Sequence, residues 1–173
     1  MPRADSMYPY LKVAGLNWLG CGNYEGQMRV REVMTTDPRT CLPGDTAFKA
    51  ASIMKGSDTG IVPIIENKQS HRLVGVVTDR DLCLGVLAEG RDPLATPLTD
   101  CMENTVVTCT PEDDERTVLA LMQDHQVRRI PVVNQQRVLQ GIVSFADLMQ
   151  RMDVPSTDIY QTMKHVTQPR LFP

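Results

Sequence analysis

Short apolar runs separated by polar turns fill the chain from residue 28 onward, and they form two matching sets. In the first set, Ile61–Ile65 and Leu73–Val77 flank the polar stretch Glu66–Arg72. In the second, Ile130–Val133 and Val138–Val143 flank Asn134–Arg137. β-Branched runs of this length joined by a polar turn predict two β-hairpins. Pro63 and Pro131 interrupt the first strand of each and donate no hydrogen bond, so each is expected at an edge or where pairing ends. Ahead of each hairpin lies a helical stripe: Phe48, Ala51 and Met54 in one, and Val118, Leu119, Leu121 and Met122 in the other. Asp45 or Thr46 opens the earlier helix. Thr110-Pro111-Glu112-Asp113 reads as the start of the later one, with a cap, an early proline and acidic residues at the positive helix end. Thr105–Thr108 predicts a short strand before it. After each hairpin a hydroxyl residue is followed three positions later by an aspartate, Thr78/Asp81 and Ser144/Asp147, at the start of a further helix. The first of these helices runs to about Ala88 and closes at Gly90.

The two sets are an internal repeat. A shift of 68 aligns Met34/Met102, Thr40/Thr108, Cys41/Cys109, Pro43/Pro111, Asp45/Asp113, Met54/Met122 and Pro63/Pro131. Beyond Gln135 the shift becomes 66 and aligns Gly75/Gly141, Val77/Val143, Thr78/Ser144, Asp81/Asp147 and Leu82/Leu148. Each unit reads β-α-β-β-α and is too short to bury much core alone, so the copies are expected to pack as one α+β module. The expected organisation is an irregular arm over 1–27, repeat one over 28–90, a proline-rich linker over 91–99, repeat two over 100–152, and a helix and tail over 153–173. The arm carries Tyr8, Tyr10, Trp18 and Tyr24. Pro9, Lys12 and Asn17 break the apolar run a signal peptide needs, and Met28 is an alternative start. Ser156 caps a final helix with Ile159, Met163 and Val166 on one face, a packing stripe within the module or across a dimer.

The segments Val127–Val133 and Leu139–Leu148, with their counterparts Gly60–Ile65 and Leu73–Leu82, resemble a tandem pair of cystathionine-β-synthase (CBS) domains, a Bateman module, of the free-standing bacterial type. The likeness covers about residues 28–152. It implies two half-sites in the cleft between the copies, each taking its hydroxyl–aspartate turn from one copy and an apolar strand from the other. One would join Thr78 and Asp81 to Val127, Ile130 and Pro131. The other would join Ser144 and Asp147 to Ile61, Val62 and Pro63. The resemblance implies a ligand drawn from AMP, ADP, ATP, NAD and S-adenosylmethionine, or none; an adenine nucleotide, AMP or ATP, is favoured, and no cofactor is required.

The residues suit that chemistry on their own terms. A carboxylate can accept from both ribose hydroxyls, and a phosphate at the helix start meets unpaired N–H groups. Arg80 sits within the first turn, where the second has Ala146. Arg128 and Arg129 align with Gly60 and Ile61. Guanidinium groups bind phosphate oxygens in pairs, so the Thr78/Asp81 pocket is expected to be the stronger phosphate site. The competing role for both aspartates is helix capping alone.

Net charge is −3, which disfavours nucleic acid and anionic membrane. No apolar run reaches the roughly 18 residues of a membrane span. The five cysteines form no C-x-x-C pair and are expected as small buried groups in a reducing cytoplasm. The histidines have no metal-type spacing, and no nucleophile–base pair or phosphate loop is present. The expectation is therefore a regulatory sensor, not an enzyme, acting as a homodimer on an unknown effector protein. The alternatives are a ligand-free structural dimerisation module and, less favoured, a nucleic-acid-binding protein.

Overall fold

The structure, a computed structural model, describes residues 28–151 and 156–167; the expected N-terminal arm lies outside them. The elements are α1 (Val30–Val33), β1 (Thr35–Thr36), α2 (Ala47–Ser57), β2 (Ile61–Ile65), β3 (Leu73–Thr78), α3 (Asp79–Leu82), α4 (Glu115–His125), β4 (Arg129–Val133), β5 (Leu139–Ser144), α5 (Phe145–Arg151) and α6 (Ser156–Val166). A π-helical segment, Cys83–Leu87, continues α3, and a 3-10 turn spans Leu98–Asp100. The α+β class follows directly.

Both hairpins form. In β2–β3, Ile61 pairs with Thr78 and Pro63 with Val76; in β4–β5, Arg129 pairs with Ser144 and Pro131 with Ile142. The prolines sit where no hydrogen bond to the partner strand is needed. Val76 opposite Pro63 turns both its N–H and its C=O to Glu103, at 3.0 and 2.8 Å. Each proline carbonyl accepts instead from a preceding loop: Cys41 N donates to Pro63 and Cys109 N to Pro131, at 3.0 and 3.2 Å.

The leading segments are exchanged between repeats. β1, from the first repeat, pairs with β5 of the second, and Glu103, from the start of the second, bridges β3 of the first. Val30 and Val33 are buried with Val118, Met122, Ile130 and Val143. Leu98 is buried with Ala50, Met54, Val62 and Val77. A third cluster of Ile65, Leu73, Val133 and Leu139 seals the two hairpins together, where Leu73 N donates to Arg137 O and Leu139 N to His71 O. These four residues are two aligned pairs, as a pseudo-twofold arrangement requires.

The exchange explains two repeat identities. A Cβ on Gly75 would stand 3.0 Å from Glu103 O and 3.2 Å from Met102 Sδ; one on Gly141 would stand 2.7 Å from Thr35 O and 3.0 Å from Met34 Sδ. Only glycine lets the crossing backbone and its methionine approach this closely.

Several expectations need correction. Thr105–Thr108 forms no regular strand; only Cys109 bridges β4, because Glu103 already occupies the neighbouring hairpin edge. α4 is capped by Asp114, whose side chain accepts from Thr117 N, and not by Thr110. Asp113 accepts from Thr110 N at 2.7 Å, which holds the preceding turn out of the helix. The aligned cap in repeat one is Thr46, and the aligned turn bond is Leu42 N to Asp45, 2.8 Å. On α2 the inward side is Ala47, Ala50 and Met54, while Phe48 is 53% exposed and Ala51 is exposed. Later capping rotates the stripe by one position. On α6, Thr162 and Val166 are buried and Met163 is exposed. The stretch read as a linker ends in packed structure: Ala47 N donates to Thr96 O, Leu98 N to Asp45 O, and Leu98 is fully buried.

Two stability predictions follow from this packing. Gly141→Ala drives a methyl into Thr35 O, so overpacking should cost about 1–3 kcal/mol. Thermal melting should show a clear fall in Tm; an unchanged Tm would mean the strand crossing has room. Asp45 is the second case. Burial pushes its carboxyl up, but the Leu42 N–H and the Lys49 ammonium outweigh burial and leave the pKa lowered. A lowered folded-state pKa gives stability that is present above about pH 3.9 and lost as pH falls through the folded-state value. The Tm gap between wild type and Asp45→Asn should therefore be widest near neutrality and close towards pH 3.

Candidate functional site

A cleft of about 660 Å³ opens between the repeats, within the size range of small-molecule sites. One wall is the turn from β3 into α3, with Thr78, Asp79, Arg80 and Asp81. The facing wall is the turn into β4, with Gln126, Val127, Arg128, Arg129 and Pro131. Gly60 and Ile61 stand at one side. Val76, Glu103, Thr105, Val106 and Val107 form the floor, and Val166 and Thr167 of the C-terminal helix contribute from beyond both repeats.

Thr78 and Asp81 form a complete capping box. Asp81 Oδ2 accepts from Thr78 N at 2.8 Å and from Thr78 Oγ1 at 2.7 Å, and Asp81 N donates back to Thr78 Oγ1 at 3.3 Å. Ser144 and Asp147 repeat this at 2.8, 2.6 and 3.1 Å. The capping role therefore exists in both copies. It uses one carboxylate oxygen, Oδ2, and leaves Oδ1 of Asp81 towards a cleft it helps to line.

The cations are unequally distributed. Ion pairs among the described residues join Arg31 to Glu112, Lys49 to Asp45 and Arg91 to Asp100. Arg128 and Arg129 are exposed and take part in none of these. Both line the cleft, and Arg129 Nη1 lies beside Asp79 at Gly60: a Cβ there would stand 3.4 Å from Arg129 Nη1 and 2.8 Å from Asp79 Oδ2. Asp79, Asp81 and Glu103 share the same cleft, so it is mixed in charge and not simply basic. A smaller recess of about 340 Å³ continues past Gly60, Asp79 and Arg129 towards Lys55, Asp58 and Thr59.

Of the residues expected to hold a ligand, the main cleft brings together Thr78, Arg80, Asp81, Ile61, Val127, Arg128, Arg129 and Pro131. Ser144 and Asp147 line neither cavity, and Pro63 lines neither as well. Val62 and Ile130 are corrections: both are fully buried in the two cores. Side chains alternate along a strand, so in Ile61-Val62 and Ile130-Pro131 only one of each pair can face the cleft. Glu103, Thr105, Val106 and Val107 were missed because repeat alignment does not reveal which hairpin a leading segment joins. Val166 and Thr167 were missed because the α6 stripe reads as packing alone.

The sequence model of the family described as CBS domain matches residues 30–87 and 98–154. The chain belongs to the CBS domain family. Its CBS pair is 38% identical over 119 residues to the CBS domain-containing protein YhcV of Bacillus subtilis (strain 168), covering 69% of this chain and 81% of that protein. Among solved CBS structures, Hypoxic Response Protein I with two coordinated zinc ions superposes with a TM-score of 0.65 at 30% identity, covering 74% of this chain and all of that one. The CBS domain pair of MJ0100, in complex with 5′-methylthioadenosine and S-adenosyl-L-methionine, superposes with a TM-score of 0.64 at 22% identity, covering 72% and 94%. At that identity the likeness concerns the fold alone. Among the described residues of this CBS pair, no three His, Cys, Asp or Glu side chains converge in a group that could hold a metal ion. No helix among them is long and apolar enough to cross a membrane.

The cysteines are structural where they are buried. Burial pushes the Cys41 thiol up to about 11, with Asp45 adding to the shift, and the Cys109 thiol up to about 12, with Asp113 adding. Both stay protonated and unreactive near neutral pH. Cys83 is exposed and Cys101 half-buried; they depart from the expected burial because the π segment turns Cys83 outward. Alkylation with iodoacetamide at pH 8, read by peptide mapping, should modify Cys83 in the native protein. Cys41 and Cys109 should react only after unfolding, and their rapid native-state labelling would contradict the packing.

Proposed function

We propose that this CBS pair is a regulatory sensor that binds an adenine nucleotide, AMP or ATP, in the 660 Å³ cleft. The observation that carries the reading is the convergence of Thr78 and Asp81 from one repeat with Arg128 and Arg129 from the other on one cavity. Asp81 Oδ1 would accept from the ribose hydroxyls while Oδ2 keeps the helix cap. Arg128 and Arg129 would take phosphate oxygens, with Arg80 beside them. Ile61, Val127, Pro131 and Val107 offer apolar contact to the base. A CBS pair of the same fold, that of MJ0100, was solved with adenosine-type ligands, which makes adenine nucleotides the class to titrate. Because the ligand would touch both repeats, binding would shift their relative position and pass a signal to a second copy or to an effector protein.

A second reading, a ligand-free structural module, is favoured by the capping boxes, which satisfy Thr78 and Ser144 without any ligand. Isothermal titration of wild type with AMP and ATP separates the two. The sensor reading expects binding, a loss of about tenfold or more in Asp81→Asn, as befits a charge-assisted hydrogen bond, a comparable loss in Arg129→Ala, and little change in Asp147→Asn. Asn at position 81 retains a cap acceptor, so folding is preserved. Equal losses from Asp81→Asn and Asp147→Asn would overturn the asymmetry, and no binding at millimolar ligand would favour the structural module.

A further inference from the structure

We infer that the C-terminal helix α6 is a ligand-coupled wall of the nucleotide site, so that occupancy of the cleft and docking of α6 onto α4 stabilise one another. The inference rests on the reading that the cleft holds a nucleotide. α6 (Ser156–Val166) lies beyond the residues matched to the CBS family, which end at 154. Its last turn nevertheless reaches the cleft: Val166 and Thr167 line the cavity. Val166 is at the same time a buried member of the second repeat's core, so one side chain joins core packing to ligand space.

The docking surface of α6 is α4, whose own end continues into Gln126 and Val127 on the same cleft wall. Behind the cleft, Gln123 of α4 packs beside His165 of α6: Gln123 Nε2 stands 3.1 Å from His165 Nδ1, which also lies 2.9 Å from Gln161 O of its own helix. Among the described side chains of the helix, Tyr160 and Met163 are exposed, and Thr162 and Val166 are buried. An eleven-residue helix is marginal in isolation, so its order depends on its packing against α4 and on whatever fills the space beside Val166. The chemistry of that end also differs from the arginine end. Val166 with Val127 is apolar and suits a base face. α6 thus fits the base end of the ligand, with the phosphates directed to Arg128 and Arg129.

Coupling between two equilibria is reciprocal: a ligand that gains from docked α6 must tighten α6, and loosening α6 must weaken the ligand. Hydrogen exchange on the full chain, with and without saturating AMP or ATP, reads the first half, and isothermal titration reads the second. Exchange across residues 160–167 should slow on ligand addition, and in Asp81→Asn the same slowing should need at least about tenfold more ligand, in step with its weaker binding. Gln123→Ala trims the α4 side of the α6 contact without altering any residue that lines the cleft and should raise Kd about three- to tenfold, the scale of a weakened contact between coupled sites. Unchanged exchange in α6 at saturating ligand overturns the inference, as does an unchanged Kd in Gln123→Ala. Failure of wild type to bind either nucleotide overturns the cleft reading itself and the inference with it, an outcome distinct from binding without protection.

Discussion

Each hairpin is completed by backbone that belongs to the other repeat. Without Glu103, the N–H and C=O of Val76 would face an open edge; without Thr35 and Thr36, so would β5. Unpaired edges are costly when buried and hazardous when exposed. The exchange removes both edges and places Val30, Val33 and Leu98 in cores on the far side of the pseudo-twofold. Neither repeat then has a full core without the other. The two walls of the cleft are therefore parts of one interlocked body and not of two domains on a linker, so a ligand that shifts one repeat must move segments of the other.

Within this frame the capping boxes have a second use. A turn that must cap a helix places a carboxylate at a defined spot, and capping consumes only one of its oxygens. Thr78/Asp81 and Ser144/Asp147 are nearly identical in geometry, yet only the first lies on the large cavity. The difference arises across the cleft. Where one copy has Gly60 and Ile61, the other has Arg128 and Arg129, so divergence of the base-side strand, and not of the hydroxyl–aspartate turn, separates the two half-sites. α6 adds to the imbalance, because Val166 and Thr167 extend the first half-site only.

Much of this was legible in the residues. β-Branched apolar runs around polar turns marked both hairpins, and the shift of 68 then 66 marked the pseudo-symmetry that Ile65/Val133 and Leu73/Leu139 embody. The site wall of Thr78, Arg80, Asp81, Val127, Arg128 and Arg129 was foreseen because turn chemistry is local. What was not legible was non-local. Gly75/Gly141 and Met34/Met102 stood out as aligned pairs, but nothing in one dimension says that Met34 packs on Gly141 and Met102 on Gly75. The same blindness hid Glu103 from the cleft. The start of α4 was misread for a different reason: Thr110-Pro111 looked like a cap, and the bond from Thr110 N to the Asp113 side chain holds that turn out of the helix, so the cap falls at Asp114. Strand alternation was likewise not applied to Val62 and Ile130, whose neighbours face the cleft in their place.

The central claim is a single asymmetric nucleotide site per chain, built on Asp81 and Arg129. Equilibrium dialysis with labelled ATP measures this directly through stoichiometry. The account predicts one ATP per chain at saturation. Two equivalent sites per chain, or none, would contradict it.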